Sequence, residues 1–193
     1  WSQEGVFNHA FTFTDFRHAG KAMPLTIAVW DNGTRSIRTR LDWIRQTCSA
    51  GRAVMVLDVS GVGPLAPYSL NHNEPEDYYG IVHKLSDDLL WLNDSMAALR
   101  TYDVIRAVDL AVETKGMDAH DIVLYADGKH GMYAQLAAAI DGRVKDIEVA
   151  GGIRSVSEWV AARYYDSHDI AGVILPGMLK YFDLPDLQRW RHM

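Results

Sequence analysis

The stretch Asp121-Ile122-Val123-Leu124-Tyr125-Ala126-Asp127-Gly128-Lys129-His130-Gly131-Met132-Tyr133-Ala134 sets the architecture of this chain. Its first half is mostly apolar, as a buried strand is. A short polar turn bearing glycine follows, and the Ala-rich run from Tyr133 to Ile140 has the small side chains of a helix packed close to a sheet. A strand that turns sharply into a helix is where α/β proteins place nucleophiles, oxyanion holes and phosphate cradles. A nucleophile would stand at position 128, and position 128 is glycine.

The flanking sequence repeats this alternation. In residues 1–24, Phe11-Thr12-Phe13-Thr14-Asp15-Phe16 has the two-residue period of an edge strand or hairpin. Pro24 introduces the uncharged run Leu25-Thr26-Ile27-Ala28-Val29-Trp30, closed by the turn residues Asp31-Asn32-Gly33-Thr34. Thr34 is expected to cap a helix on which Ile37, Leu41, Ile44 and Cys48 recur at helical spacing, ended by Gly51. A further strand, Ala53-Val54-Met55-Val56-Leu57-Asp58, runs into the loop Ser60-Gly61-Val62-Gly63-Pro64. Residues 66–79 show no period, and so long a connection inside a compact domain points to a functional loop. Leu85, Leu89, Leu92, Met96 and Leu99 then form a helical stripe that continues through Val104 and Val108, with a break expected near Arg100. After the central stretch come the strand Val144-Lys145-Asp146-Ile147-Glu148-Val149-Ala150 and a helix capped by Ser155 or Ser157 that runs through Trp159 and Tyr164. Trp91, Trp159, Tyr164 and Tyr165 are expected in the core.

Charge-poor strands alternating with amphipathic helices imply a mainly parallel sheet covered on both faces. The expected fold is a three-layer α/β/α domain spanning 1–193, with 1–24 as an edge extension on an α/β core of 25–193. A net charge of −6 without a Lys/Arg cluster argues against nucleic acid as a partner. The single cysteine, Cys48, excludes an internal disulfide framework. No apolar run reaches the length of a membrane span and no signal-peptide pattern opens the chain, so a soluble protein of undetermined compartment is expected. The chain opens at Trp1 rather than Met, as a mature form or a piece of something longer would.

In a parallel α/β sheet the ligand crevice lies beyond the C-terminal ends of the strands. Three polar loops end strands here, at Asp31-Asn32-Gly33, at Asp58-Val59-Ser60-Gly61-Val62-Gly63 and at Asp127-Gly128-Lys129-His130, and they are expected to converge. No cofactor is expected, because Gly61-Val62-Gly63 is followed by Pro64 rather than by a helix-opening glycine. No metal is expected either, since the eight histidines are scattered and His72, Glu74, Glu76 and Asp77 read as a solvated acidic loop.

Taken together, these segments resemble the α/β-hydrolase family, and more narrowly the bacterial esterases described as acetyl xylan esterase-like. The resemblance covers most of the chain. It rests on Trp30-Asp31-Asn32-Gly33, where that family carries its oxyanion loop, and on Asp58-Val59-Ser60-Gly61-Val62-Gly63, similar to the family's Asp-x-Arg-Gly-x-Gly with Ser60 in place of Arg. It rests also on residues 102–109, which look like the helix before the nucleophile strand, and on Arg163-Tyr164-Tyr165-Asp166, Ile174-Leu175-Pro176-Gly177 and Phe182-Asp183-Leu184-Pro185-Asp186-Leu187. The resemblance implies hydrolysis of carboxylic esters such as acetylated saccharides.

The family's elbow is Gly-x-Ser-x-Gly, and this chain reads Ala126-Asp127-Gly128-Lys129-His130 with Gly131 next. A glycine cannot be acylated, so an acyl-enzyme cannot form at position 128. The acid and histidine that follow the nucleophile in the family order would fall beyond Met193, because His192 stands at the chain's end. The expected sheet therefore lacks its last strands, and two readings stay open: a segment whose remainder is another chain or was removed, and a reduced hydrolase-like fold. An unpaired sheet edge would favour a homo-oligomer or a complementary chain. Candidate chemical residues are Gly128 as the elbow position, Asp127 and His130 as an acid/base pair, and Ser60 as a displaced nucleophile. Lys129, Asp31 and Asn32 are the candidates for an oxyanion or carbonyl hole. The expected function is a carboxylic ester hydrolase that is weak or inactive as this chain. The alternatives are a non-catalytic binding or scaffold module and a flavodoxin-like nucleotide binder, the latter opposed by the acidic loop after the first α/β strand.

Overall fold

The computed structural model describes residues 2–18, 20–67, 82–164 and 168–191. Tyr165, His192 and the His72 to Asp77 loop lie outside them. Five strands form one sheet: β1 (His9–Phe13), β2 (Met23–Val29), β3 (Ala53–Asp58), β4 (Met117–Asp127) and β5 (Val144–Ala150). Their spatial order is β1-β3-β2-β4-β5, with β1 antiparallel to β3 and the other neighbours parallel. Among the described residues there are six α-helices: α1 (Leu41–Ser49), α2 (His83–Trp91), α3 (Met96–Glu113), α4 (Gly131–Ile140), α5 (Val156–Ala161) and α6 (Leu184–Trp190).

The central strands are buried on both faces, which is why they read as continuous apolar runs rather than alternating ones. Leu25, Ile27, Val29, Met55, Leu57, Ile122 and Leu124 point to the face covered by Val104 and Val108 of α3, Met132 and Leu136 of α4, and Leu187 of α6. Ala28, Trp30, Val54, Val56 and Tyr125 point to the opposite face, against Ile44 and Cys48 of α1. Helices on opposite faces are what right-handed crossovers require when the chain steps outward from β2 to β3 and then the other way, from β4 to β5. The direction reverses between β2 and β4, so the topological switch point lies at their C-terminal ends.

Several local expectations differ from the structure. Thr34 does not cap a helix. Residues Gly33–Arg40 wind as a 3₁₀ segment before α1, and the Thr34 hydroxyl donates to Asp58 Oδ2 at 2.6 Å. The long stripe from Leu85 to Val108 is not one helix breaking near Arg100: α2 ends at Trp91, Asn93 adopts a left-handed backbone (φ 59), and Ser95 caps α3 by accepting from the amide of Ala98. Only its second half is core: Leu85 and Leu92 are exposed, while Met96, Val104 and Val108 are buried. Trp91 and Tyr164 are exposed rather than buried, at 89% and 81%, while Trp159 packs partly against the core. Ser155 rather than Ser157 caps α5, which stops at Ala161, short of Tyr164. Apolar spacing shows where a helix could form; polar caps and reversed backbone decide where it ends.

Candidate functional site

β4 delivers the turn Gly128–His130 to the switch point, and the turn passes directly into α4. Gly128 has φ 57, the left-handed conformation that L side chains adopt at a cost, and a Cβ built there meets no atom within 4 Å. The turn therefore faces open space. Gly131 is held differently: a Cβ on it would lie 2.4 Å from Val149 Cγ1, so only glycine lets α4 start this close to β5.

The three polar residues of the turn take separate partners. Asp127 forms an ion pair with Arg40, whose guanidinium lies 5.4 Å from the ring centroid of Trp30. Lys129 Nζ donates to the backbone carbonyl of His168 at 2.6 Å. His130 is buried, with Nδ1 2.8 Å from the Tyr133 hydroxyl and Nε2 2.8 Å from Asp31 Oδ1. Burial raises Tyr133 well above the ordinary phenol range, so its hydroxyl stays protonated beside Nδ1. The ionised Asp31 carboxylate can only accept, so Nε2 donates to it, and this bond, against an opposing burial effect, lowers the carboxyl to about 2. Both imidazole nitrogens are thus committed to fixed partners, and the ring ties the loop after β2 to the start of α4.

The second polar loop is drawn in by Asp58. Its carboxylate is fully buried and accepts from the Thr34 amide at 2.7 Å, the Thr34 hydroxyl and His9 Nδ1 at 2.8 Å. A Cβ on Gly33 would fall 1.8 Å from Asp58 Oδ1, so glycine is required where the loop after β2 crosses this carboxylate. Ser60 is buried, and its hydroxyl has no hydrogen-bond partner. Its amide donates to Asp103 Oδ2 at 2.8 Å and its carbonyl accepts from Arg100 Nε at 2.9 Å. Arg100, fully buried, also donates to the carbonyl of Gly172 and meets Asp169 at 3.2 Å.

The three loops do converge. A cleft of about 100 Å³ is lined by Asp31, Asn32, the glycine loop at 61–63, His130, His168 and Asp169. Asn32 holds a left-handed backbone (φ 60) at its edge. His168 and Asp169 belong to the irregular segment after α5 and were not anticipated; their adjacency is the sole signal in a stretch without period. Arg100 was also missed, because a lone Arg on an apolar helix reads as a break. Among the described residues no group of three or more His, Cys, Asp or Glu side chains is placed to hold a metal ion, and no helix is long and apolar enough to cross a membrane.

No protein-family model matches the sequence, and no curated protein does. Solved structures match the fold. A protein from Bacteroides fragilis NCTC 9343 assigned as an acetyl xylan esterase aligns with TM-score 0.73 and 12% identity, over 99% of this chain and 55% of that one. The 2,6-dihydroxy-pseudo-oxynicotine hydrolase aligns with TM-score 0.59 and 14% identity, over 98% and 45%. The chain has the α/β-hydrolase fold. A Klebsiella pneumoniae subsp. pneumoniae MGH 78578 protein assigned as a dienelactone hydrolase aligns less closely, with TM-score 0.54 and 18% identity over 74% and 53%. The chain spans about half the length of these α/β hydrolases. The fold expectation from sequence is met, including the edge strand and the mainly parallel sheet.

Proposed function

We propose that this chain is an α/β-hydrolase-type domain of the carboxylic-ester class, from the carbohydrate-esterase neighbourhood, which engages an ester carbonyl but hydrolyses it weakly or not at all. The observation that carries the reading is Gly128: it occupies the strand-to-helix turn at the switch point, in left-handed geometry, with open space where a nucleophile's side chain would project. In this fold the oxyanion hole is built from the amide after the nucleophile and an amide of the loop after the neighbouring strand. The corresponding positions are Lys129 and the loop at Asp31 and Asn32. That hole needs no side-chain nucleophile. A cleft of about 100 Å³ has room for an acetyl group. A saccharide ester would place its acyl end in the cleft and its sugar outside.

Neither substitute route is supported by the contacts. His130 has no ring nitrogen left to take a proton from water, and the Ser60 hydroxyl is paired with no histidine. The test is turnover of p-nitrophenyl acetate together with labelling by a fluorophosphonate. The expected result is no turnover above background and no labelled serine, with Gly128→Ser still lacking turnover because the neighbouring His130 is already bound at both ring nitrogens. Robust turnover that survives Asp127→Ala, His130→Ala and Ser60→Ala would overturn the site.

A second reading, a non-catalytic binding or scaffold module, is favoured by β5. Among the described residues this strand pairs with β4 on one side and with no strand on the other. Pairing with a second copy or a complementary chain would satisfy that edge. Sedimentation velocity over a range of concentrations would reveal it as a shift from monomer to dimer, and a constant monomer would exclude self-pairing.

A further inference from the structure

A groove of about 480 Å³, sharing no residue with the elbow cleft, lies between α5 and the irregular segment 170–180. Val156 and Met178 line it as buried members of the main core, and Trp159 is partly buried beside them. Val160 and Leu179 line it too, yet they stand 70% and 45% exposed. Its walls are fixed by polar geometry outside it. Asp183 accepts from the amides of Val156 and Leu184, at 2.7 Å each, and from the hydroxyls of Ser155 and Ser157. These bonds tie the start of α5 to the start of α6. On the other side, Gly177 in left-handed backbone (φ 78) opens the 3₁₀ turn Met178–Lys180. Small-molecule sites take this form, as preformed apolar hollows of roughly 300–1,000 Å³ with a few polar groups that fix orientation. Contiguous apolar surface left open on a folded chain marks such a site. Among the described residues, Lys180 is the one charged side chain that lines the groove, and it forms no ion pair with any of them.

We propose that this groove is a binding site for a medium-chain monocarboxylate. The alkyl chain lies against Trp159, Val160 and Leu179, where a hydrocarbon leaves no polar group unsatisfied. The carboxylate stays at the water-exposed mouth and accepts from the Lys180 ammonium, the one complementary charge in the lining. Burial of the chain supplies most of the affinity, and Lys180 supplies the preference for an anion.

The probe is decanoate at pH 7, kept below the concentration at which it forms micelles, and decan-1-ol is the neutral control. Titration into ¹⁵N-labelled full chain, read by two-dimensional NMR, is expected to give saturable shifts centred on the amides of 156–160 and 170–180 and on the Trp159 indole. Lys180→Met keeps the apolar stem of the side chain. It is expected to weaken decanoate about two- to fivefold, the range of an exposed ion pair, and to leave decan-1-ol unchanged. Val160→Asp, at an exposed position of α5, is expected to weaken both ligands by about tenfold, because it sets a charge against the chain. Absence of saturable shifts overturns the proposal. Unchanged decanoate affinity in Lys180→Met overturns it, and so does equal weakening of both ligands. If the same amides shift on raising the protein concentration alone, with a matching rise in sedimentation coefficient, a second copy is the occupant and the proposal falls.

Discussion

His130 and Asp31 meet across 99 positions of sequence, and the hydrogen bond between them sets the acid behaviour of the site. The folded carboxyl of Asp31 sits at about 2, below its ordinary 3.8, because the imidazole donates to its charged form. A depressed carboxyl contributes stability that is fully present above the unfolded value and is lost as pH falls through the folded one. The window for the Asp31–His130 tie is therefore between about pH 4 and pH 2. The Asp31 side chain is 71% exposed, so solvent screening holds the contribution to roughly 0.2–1 kcal/mol. Urea denaturation of Asp31→Asn is expected to show a small loss at pH 7 that shrinks towards zero near pH 2. A loss that persists unchanged at the lower pH would mean that the carboxylate's charge is not what His130 recognises.

The junction of β4, α4 and β5 depends on one close approach. Gly131 opens α4 against Val149 of β5, and Val149 Cγ1 also lies 2.3 Å from where a Cβ on Gly152 would stand. Val149 is β-branched and cannot swing its methyl away cheaply. Gly131→Ala is expected to cost about 1–3 kcal/mol by overpacking. Val149→Ala in the same chain should recover part of that loss, so a double-mutant cycle by urea denaturation should give a coupling on the order of 1 kcal/mol. Additive losses would show that helix and strand are not held apart at this point. The strand core, 122–126, was legible as an apolar run, but β4 extends to Met117 through Asp118, His120 and Asp121, whose polarity hides the strand from any hydrophobic pattern.

Asp58 joins three parts of the domain that are far apart in sequence: β1 through His9, the loop after β2 through Thr34, and its own strand β3. Removing a buried, multiply bonded carboxylate leaves its donors unsatisfied. Asp58→Ala is expected to destabilise the fold by on the order of 3 kcal/mol or more, a large share of the ~5–15 kcal/mol that holds a domain together. The measurement is the shift in urea midpoint. A loss below ~1 kcal/mol would show that water replaces the carboxylate and that β1 is held by its strand pairing alone. The antiparallel pairing of His9 with Asp58 places β1's first residue at the C-terminal end of the parallel strands, so the edge strand buttresses the functional end of the sheet.

The sequence by itself determined the α/β alternation, the loops that carry polar residues and the glycine at the elbow, because burial on two faces writes continuous apolar runs and tight turns demand Gly, Asn and Asp. It did not contain the partners of those residues. Asp127, Lys129 and His130 are neighbours along the chain, yet they engage Arg40, His168, and the pair Tyr133 and Asp31. Ion pairs and buried hydrogen bonds leave no periodic trace, since they join residues that the crossover connections bring together. The helix break at 92–95, the burial of Arg100 and the orphaned atoms of Asp103 and Asn8 were decided in the same way. Gly128 was visible as an absence in the sequence. Only the tertiary structure places that absence at the switch point, with open space before it and a histidine beside it whose nitrogens are both already bound.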